Sequence, residues 1–98
     1  MRIPKITGLQ YATLKIVGLG NQTGKDVRAK LRKVGANHTL TAFYQLIGRL
    51  RSEEYLNQRR EALDESHPGE RECIYSITRK GTKVLEETCR FYEIFTGQ

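Results

Sequence analysis

The chain has 98 residues, 38% of them hydrophobic, and carries 17 Lys or Arg against 11 Asp or Glu for a net charge of +6. A second core would need roughly 50 residues of its own, so one ordered domain spanning residues 1–98 is expected, and a disordered chain is excluded by the apolar content. No run of about 18 apolar residues is present and the Met1-Arg2-Ile3-Pro4-Lys5 start lacks the apolar centre of a secretory signal, which points to a cytoplasmic protein with no membrane partner.

In chain order, Thr7 and Gln10 form a capping-box spacing, in which hydroxyl and amide satisfy orphaned backbone donors, so a first helix begins there. Leu9, Ala12, Ile16 and Leu19 recur on one face, with Tyr11, Leu14 and Val17 widening it, until Gly18, Gly20 and Asn21 stop the helix. Thr23 caps a second helix with Asp26 at the positive end of its dipole. Its inner stripe is Val27, Leu31 and Val34, its outer face Lys25, Arg28, Lys30, Arg32 and Lys33, and Gly35 is placed to end it in a left-handed conformation. After Ala36-Asn37-His38, Thr39 or Thr41 caps a third helix reaching about Glu54, with Phe43, Leu46, Ile47 and Leu50 inward. A hairpin follows: Tyr55 to Ala62, a turn containing Pro68-Gly69, then Arg71 to Ile77, whose Cys73, Tyr75 and Ile77 alternate with Glu72, Ile74 and Ser76. Thr78 caps a last helix with Val84, Leu85, Phe91, Tyr92 and Phe95 at helical spacing. The expected fold is therefore mostly α with a small β-hairpin wing, in the order α-α-α-β-β-α.

Charge follows the same division. Residues 1–51 hold ten Lys or Arg against Asp26 alone, +9, while 52–98 hold seven against ten acids, −3. A basic half attracts polyanions by releasing counterions condensed on phosphate. Two short helices joined tightly, the first basic and the second donor-rich, match a helix-turn-helix whose third helix, about 39–54, enters the major groove of double-stranded DNA. Gln45 and Arg49 are candidates for base contact, because Gln pairs bidentately with adenine and Arg with guanine. Thr39, Thr41 and Tyr44 are candidate phosphate donors, Lys25 and Arg28 backbone contacts, and Arg59, Arg60 and Arg71 the basic residues a wing could offer.

Other chemistry finds little support. There is no Gly-rich phosphate loop, no nucleophile paired with His38 or His67, and no carboxylate pair in an apolar context, so no enzyme and no cofactor are expected. Cys73 and Cys89 do not have zinc spacing and read as buried free thiols. The competing function is a winged-helix module that binds RNA or another protein.

Thr41-Ala42-Phe43-Tyr44-Gln45-Leu46-Ile47-Gly48-Arg49-Leu50 resembles the recognition-helix signature of PadR-type winged-helix regulators, within the broader MarR-like superfamily. There a Thr, a Tyr and a Leu-x-Arg-Leu recur at this spacing. Ile74-Tyr75-Ser76-Ile77-Thr78-Arg79-Lys80-Gly81 is similar to that family's second wing strand and its entry into the last helix. The resemblance covers roughly residues 9–92. It departs at Glu54, where the family commonly has glycine, and in a Gly-Thr-Leu-Tyr run only partly kept by Leu40-Thr41-Ala42-Phe43-Tyr44. It implies a transcriptional repressor that binds a near-palindromic operator as a homodimer, with the first and last helices in contact across the dimer. Leu9, Leu14, Leu85, Phe91, Tyr92 and Phe95 are the residues expected there, and aromatic surface on the last helix independently favours association. Such chains often add a C-terminal helical domain; with the sequence ending at Gln98, any small-molecule effector is expected at the dimer interface.

Overall fold

The structure, a computed structural model, describes residues 6–36, 38–62 and 71–96. Its elements are α1 (Gly8–Val17), β1 (Gln22–Thr23), α2 (Gly24–Lys33), α3 (Leu40–Ser52), β2 (Leu56–Ala62), β3 (Arg71–Ile77) and α4 (Arg79–Thr96). The three strands form an antiparallel sheet in the order β1-β3-β2. The expected winged-helix order is present, with one addition: β1, two residues long, pairs Gln22 with Tyr75 and Thr23 with Ile74.

Local chemistry accounts for the helix ends. Thr7 and Gln10 make both halves of a capping box, as do Thr23 and Asp26. The Thr39 hydroxyl accepts from the Ala42 amide and the Thr78 hydroxyl from the Gly81 amide, so each helix begins on a threonine. α2 and α3 end alike. After α2, Ala36 N–H donates to Leu31 and Gly35 N–H to Arg32; after α3, Tyr55 N–H donates to Leu50 and Glu54 N–H to Arg51. Both are Schellman closures that need a left-handed residue, supplied by Gly35 at φ 86° and, in place of the glycine common in the resembled family, by Glu54 at φ 65°.

Leu14, Val17, Val27, Leu31, Phe43, Ile47, Leu50, Leu56 and Tyr75 make one core between the helices and the sheet. Gln22 is buried with them, and its amide donates to the carbonyls of Ile16 and Gly20 while accepting from Lys30 Nζ, so this polar side chain ties the end of α1 to α2. Several inward assignments are corrected. Val34 is 68% exposed, because the helix ends at it and the chain turns away before a third inward turn forms. Leu19 is 74% exposed, lying beyond the Gly18 cap. Cys73 and Cys89 are free thiols as expected, but half-buried: Cys73 accepts from Gln58 Nε2 at 3.2 Å and Cys89 lies toward Glu93 on α4. His67 lies outside the described residues. Among the described residues no helix is long and apolar enough to cross a membrane, and no three His, Cys, Asp or Glu side chains gather as they would around a metal ion.

Candidate nucleic-acid interface

α3 rests on the core through Phe43, Ile47 and Leu50. At 100° per residue, the line opposite that stripe runs through Thr41, Gln45, Gly48 and Ser52, all exposed. Tyr44 and Arg51 lie on the flank nearer the sheet, and Ala42 and Arg49 on the flank nearer the start of α1. Arg49 borders a depression of about 240 Å³ shared with Ile6, Thr7, Gln10, Glu53 and Tyr55. Arg51 borders an open trough of about 490 Å³ between α3 and β2, with Gly48, Ser52, Leu56, Asn57 and Gln58.

The seating of α3 depends on aromatic packing. At the start of α2, a Cβ on Gly24 would lie 3.3 Å from the Tyr75 ring and 3.6 Å from Phe43, so the absence of a side chain there lets β3 and α3 close on the helix. Burial pushes the Tyr75 phenol up to about 12, helped by neighbouring Cys73 and Tyr44 and partly opposed by Arg51. Phe43 in turn organises the cationic rim: the Arg28 guanidinium lies 5.9 Å from its ring centroid and the Tyr44 ring meets it edge-on at 5.6 Å. His38, in the turn between α2 and α3, stacks on the same ring at 5.7 Å, with Nδ1 3.1 Å from the Ala36 carbonyl oxygen. This is a packing role.

Of the residues expected to contact DNA, Thr41, Tyr44, Gln45, Arg28 and Lys25 lie on α3 or on the adjoining α2. Thr39 is engaged as the cap of α3. Arg49 is exposed but displaced toward α1, whereas Arg51, which the sequence argument passed over, faces the trough beside the outward line. The signal for Arg51 was present in the helical period: it falls one turn after Ile47 and two after Tyr44, on the sheet side.

The hairpin register separates the wing arginines. Opposed residues share a face, so Arg60, opposite Cys73, is on the Gln58 and Tyr75 side, and Arg59, opposite Ile74, is on the other. Arg71 pairs with Ala62 in the backbone, and its side chain is outside the described residues.

The residues expected between partners also divide. Leu14 is fully buried in the chain's own core, so it has no surface to offer and is removed from that face. Leu85 is half-buried against the core. Leu9 and Tyr92 are exposed, Tyr92 meeting Tyr11 edge-on at 5.7 Å and Phe91 at the same distance. Burial, then a hydrogen bond with Cys89, raises the Tyr11 phenol above its ordinary range. The Phe95 side chain lies outside the described residues.

No protein-family model matches the sequence, and neither does any curated protein. Solved structures do match. A PadR family transcription regulator from Clostridium difficile superposes with a TM-score of 0.80 at 15% identity, over 93% of each chain. A PadR-like transcriptional regulator from Bacillus cereus gives 0.77 at 24% identity, over 91% of this chain and 84% of that one. Bacillus subtilis PadR, solved in complex with operator DNA, gives 0.72 at 18% identity, over 83% of this chain and 46% of that one. The chain therefore has the winged helix-turn-helix fold found in PadR-family regulators.

Proposed function

We propose that the protein is a sequence-specific, double-stranded DNA-binding transcriptional regulator, acting as a repressor and a homodimer, with α3 in the major groove. The observation that carries this is the outward line of α3. It is polar and exposed, with Arg51 on the flank toward β2 and Arg28 held over the ring of Phe43 on the same helix. Such a surface suits base edges flanked by phosphates, whereas a protein-binding helix would turn a continuous apolar stripe outward. The operator complex of the Bacillus subtilis protein shows a protein of this fold on DNA. Gln45 is the central base-reading candidate; Thr41 and Tyr44 are phosphate donors; Lys25, Arg28 and Arg51 supply affinity. Arg60 is the wing arginine best placed to join them, being on the sheet face that carries Gln58 and Tyr75.

The test is enrichment from a pool of random-sequence duplexes, followed by affinity across a salt series for the enriched duplex. Gln45→Ala should lose selectivity by roughly tenfold or more while keeping general affinity. Arg28→Ala should weaken all duplexes alike and lower the salt slope by about one unit. If the wild-type chain enriches no duplex and binds without salt dependence, the proposal fails and the protein-interaction module takes its place.

A further inference from the structure

α3 contains one interior glycine, Gly48, and it stands on the outward line between Gln45 and Ser52. Glycine weakens a helix interior relative to alanine, so a glycine there calls for a reason in packing, backbone conformation or contact. At four other glycines such reasons are visible, though not at Gly8 in the first turn of α1. A side chain on Gly81 would overlap the Tyr55 carbonyl oxygen, one on Gly24 would press on Tyr75, and Gly20 and Gly35 have positive φ. Gly48 has neither: its backbone is helical, and a Cβ built on it meets nothing within 4 Å. The fold leaves this position open to any small side chain, so nothing in the described chain calls for a glycine there.

We propose that Gly48 is the point of closest approach between α3 and duplex DNA. A major groove about 12 Å wide only just admits a helix about 10–12 Å across with its side chains, so a bare position on the leading face lets the axis sit deeper. Gln45 and Ser52, about one turn to either side, are then carried onto the base edges, while Arg51, Arg28 and Lys25 stay level with the phosphates. Gly48 is a positioning residue: it touches by absence, and it sets which neighbours read. This rests on the DNA-binding role proposed above.

The experiment compares the wild-type chain with Gly48→Ala and Gly48→Leu, using thermal unfolding and affinity for two probes. These are the duplex that the wild type enriches from a random pool and a scrambled duplex of the same length. Gly48→Ala should melt about 4–8 °C higher, since the helix is strengthened and nothing is crowded. Its affinity for the enriched duplex should fall roughly tenfold, and that of Gly48→Leu further, with the scrambled duplex bound within about twofold of wild type because the phosphate contacts are intact. Equal affinity of all three proteins for the enriched duplex would overturn the assignment of Gly48 alone. A lower melting temperature for Gly48→Ala would overturn it as well, by showing that the fold itself needs the glycine. Failure of the wild type to enrich any duplex would instead defeat the DNA-binding role on which the assignment rests.

Discussion

α3 and α4 each contain a glycine and each leave large side chains in solvent, yet the two helices are built in opposite senses. The glycine of α4, Gly81, faces inward and seats the helix against the Tyr55 carbonyl and Ile77, whereas Gly48 of α3 faces outward over open space. The outer line of α3 is Thr41, Gln45, Gly48 and Ser52, with Arg51 on one flank and Arg49 on the other. On α4 the exposed apolar side chains are Tyr92, which meets Tyr11 of α1, and Ile94, 58% exposed; Leu9 of α1 is exposed as well. A polar face with room for close approach suits a hydrated polyanion; an aromatic face suits a second apolar surface, for which another copy of the chain is the simplest supply. At about 27 Å for 18 residues, α4 outruns the 10-residue α1 against which it packs.

Three measurements would break or sharpen this contrast. The largest effect is expected from Leu9→Asp combined with Tyr92→Asp: charges at these two exposed apolar positions of α1 and α4 should halve the mass seen by light scattering, while Gln45→Ala leaves it unchanged. Identical masses for the wild type and the double variant would remove the dimer from that face. Next, Gly81→Ala should lower stability by about 1–3 kcal/mol in urea unfolding, because the methyl must displace backbone and Ile77 together. Its sign is opposite to that expected for Gly48→Ala, and if both glycines respond alike, the inward–outward distinction is lost. The smallest effect concerns the end of α3. Glu54 holds φ 65° without the freedom of glycine, and among the described residues its side chain makes an exposed 4.0 Å contact with Lys80. Glu54→Gly should therefore raise stability by up to about 1 kcal/mol, and a loss of that size would show that the left-handed turn carries no strain.

Much of this was legible in the residues. Thr7, Thr23, Thr39 and Thr78 announce helix starts because a cap is satisfied within three or four residues, and the hairpin limits at Arg71 and Ile77 follow from alternation and a Pro-Gly turn. The polar outer face of α3 was visible for the same reason, since helical period places Thr41 and Gln45 opposite Phe43 and Ile47 without knowledge of any other element. Where the sequence misled, the missing information was long-range. β1 has only two residues, and nothing local marks it, because it exists through pairing with Tyr75 and Ile74 some 50 positions on. Arg49 and Arg51 lie on opposite flanks of α3, and only the location of β2 makes one of them border the wing trough. Leu14 and Leu9 are both apolar residues of α1, and which of them is covered depends on where α2, α4 and the sheet pack.

The sequence by itself thus determined the order of elements, their caps, the basic character of α2 and the polar face of α3, all of which arise from interactions within a turn or two of chain. The tertiary structure alone decided which flank of α3 borders the wing, how the hairpin register parts Arg59 from Arg60, and how Phe43 draws Arg28, Tyr44 and His38 around one ring. It also showed that Gly81 is enclosed and Gly48 is free, a distinction invisible in the sequence because a glycine has no side chain to reveal what surrounds it. The physical reason is common to all of these: periodicity fixes the direction of a side chain relative to its own helix or strand, while its neighbours are set by packing between segments far apart in the chain.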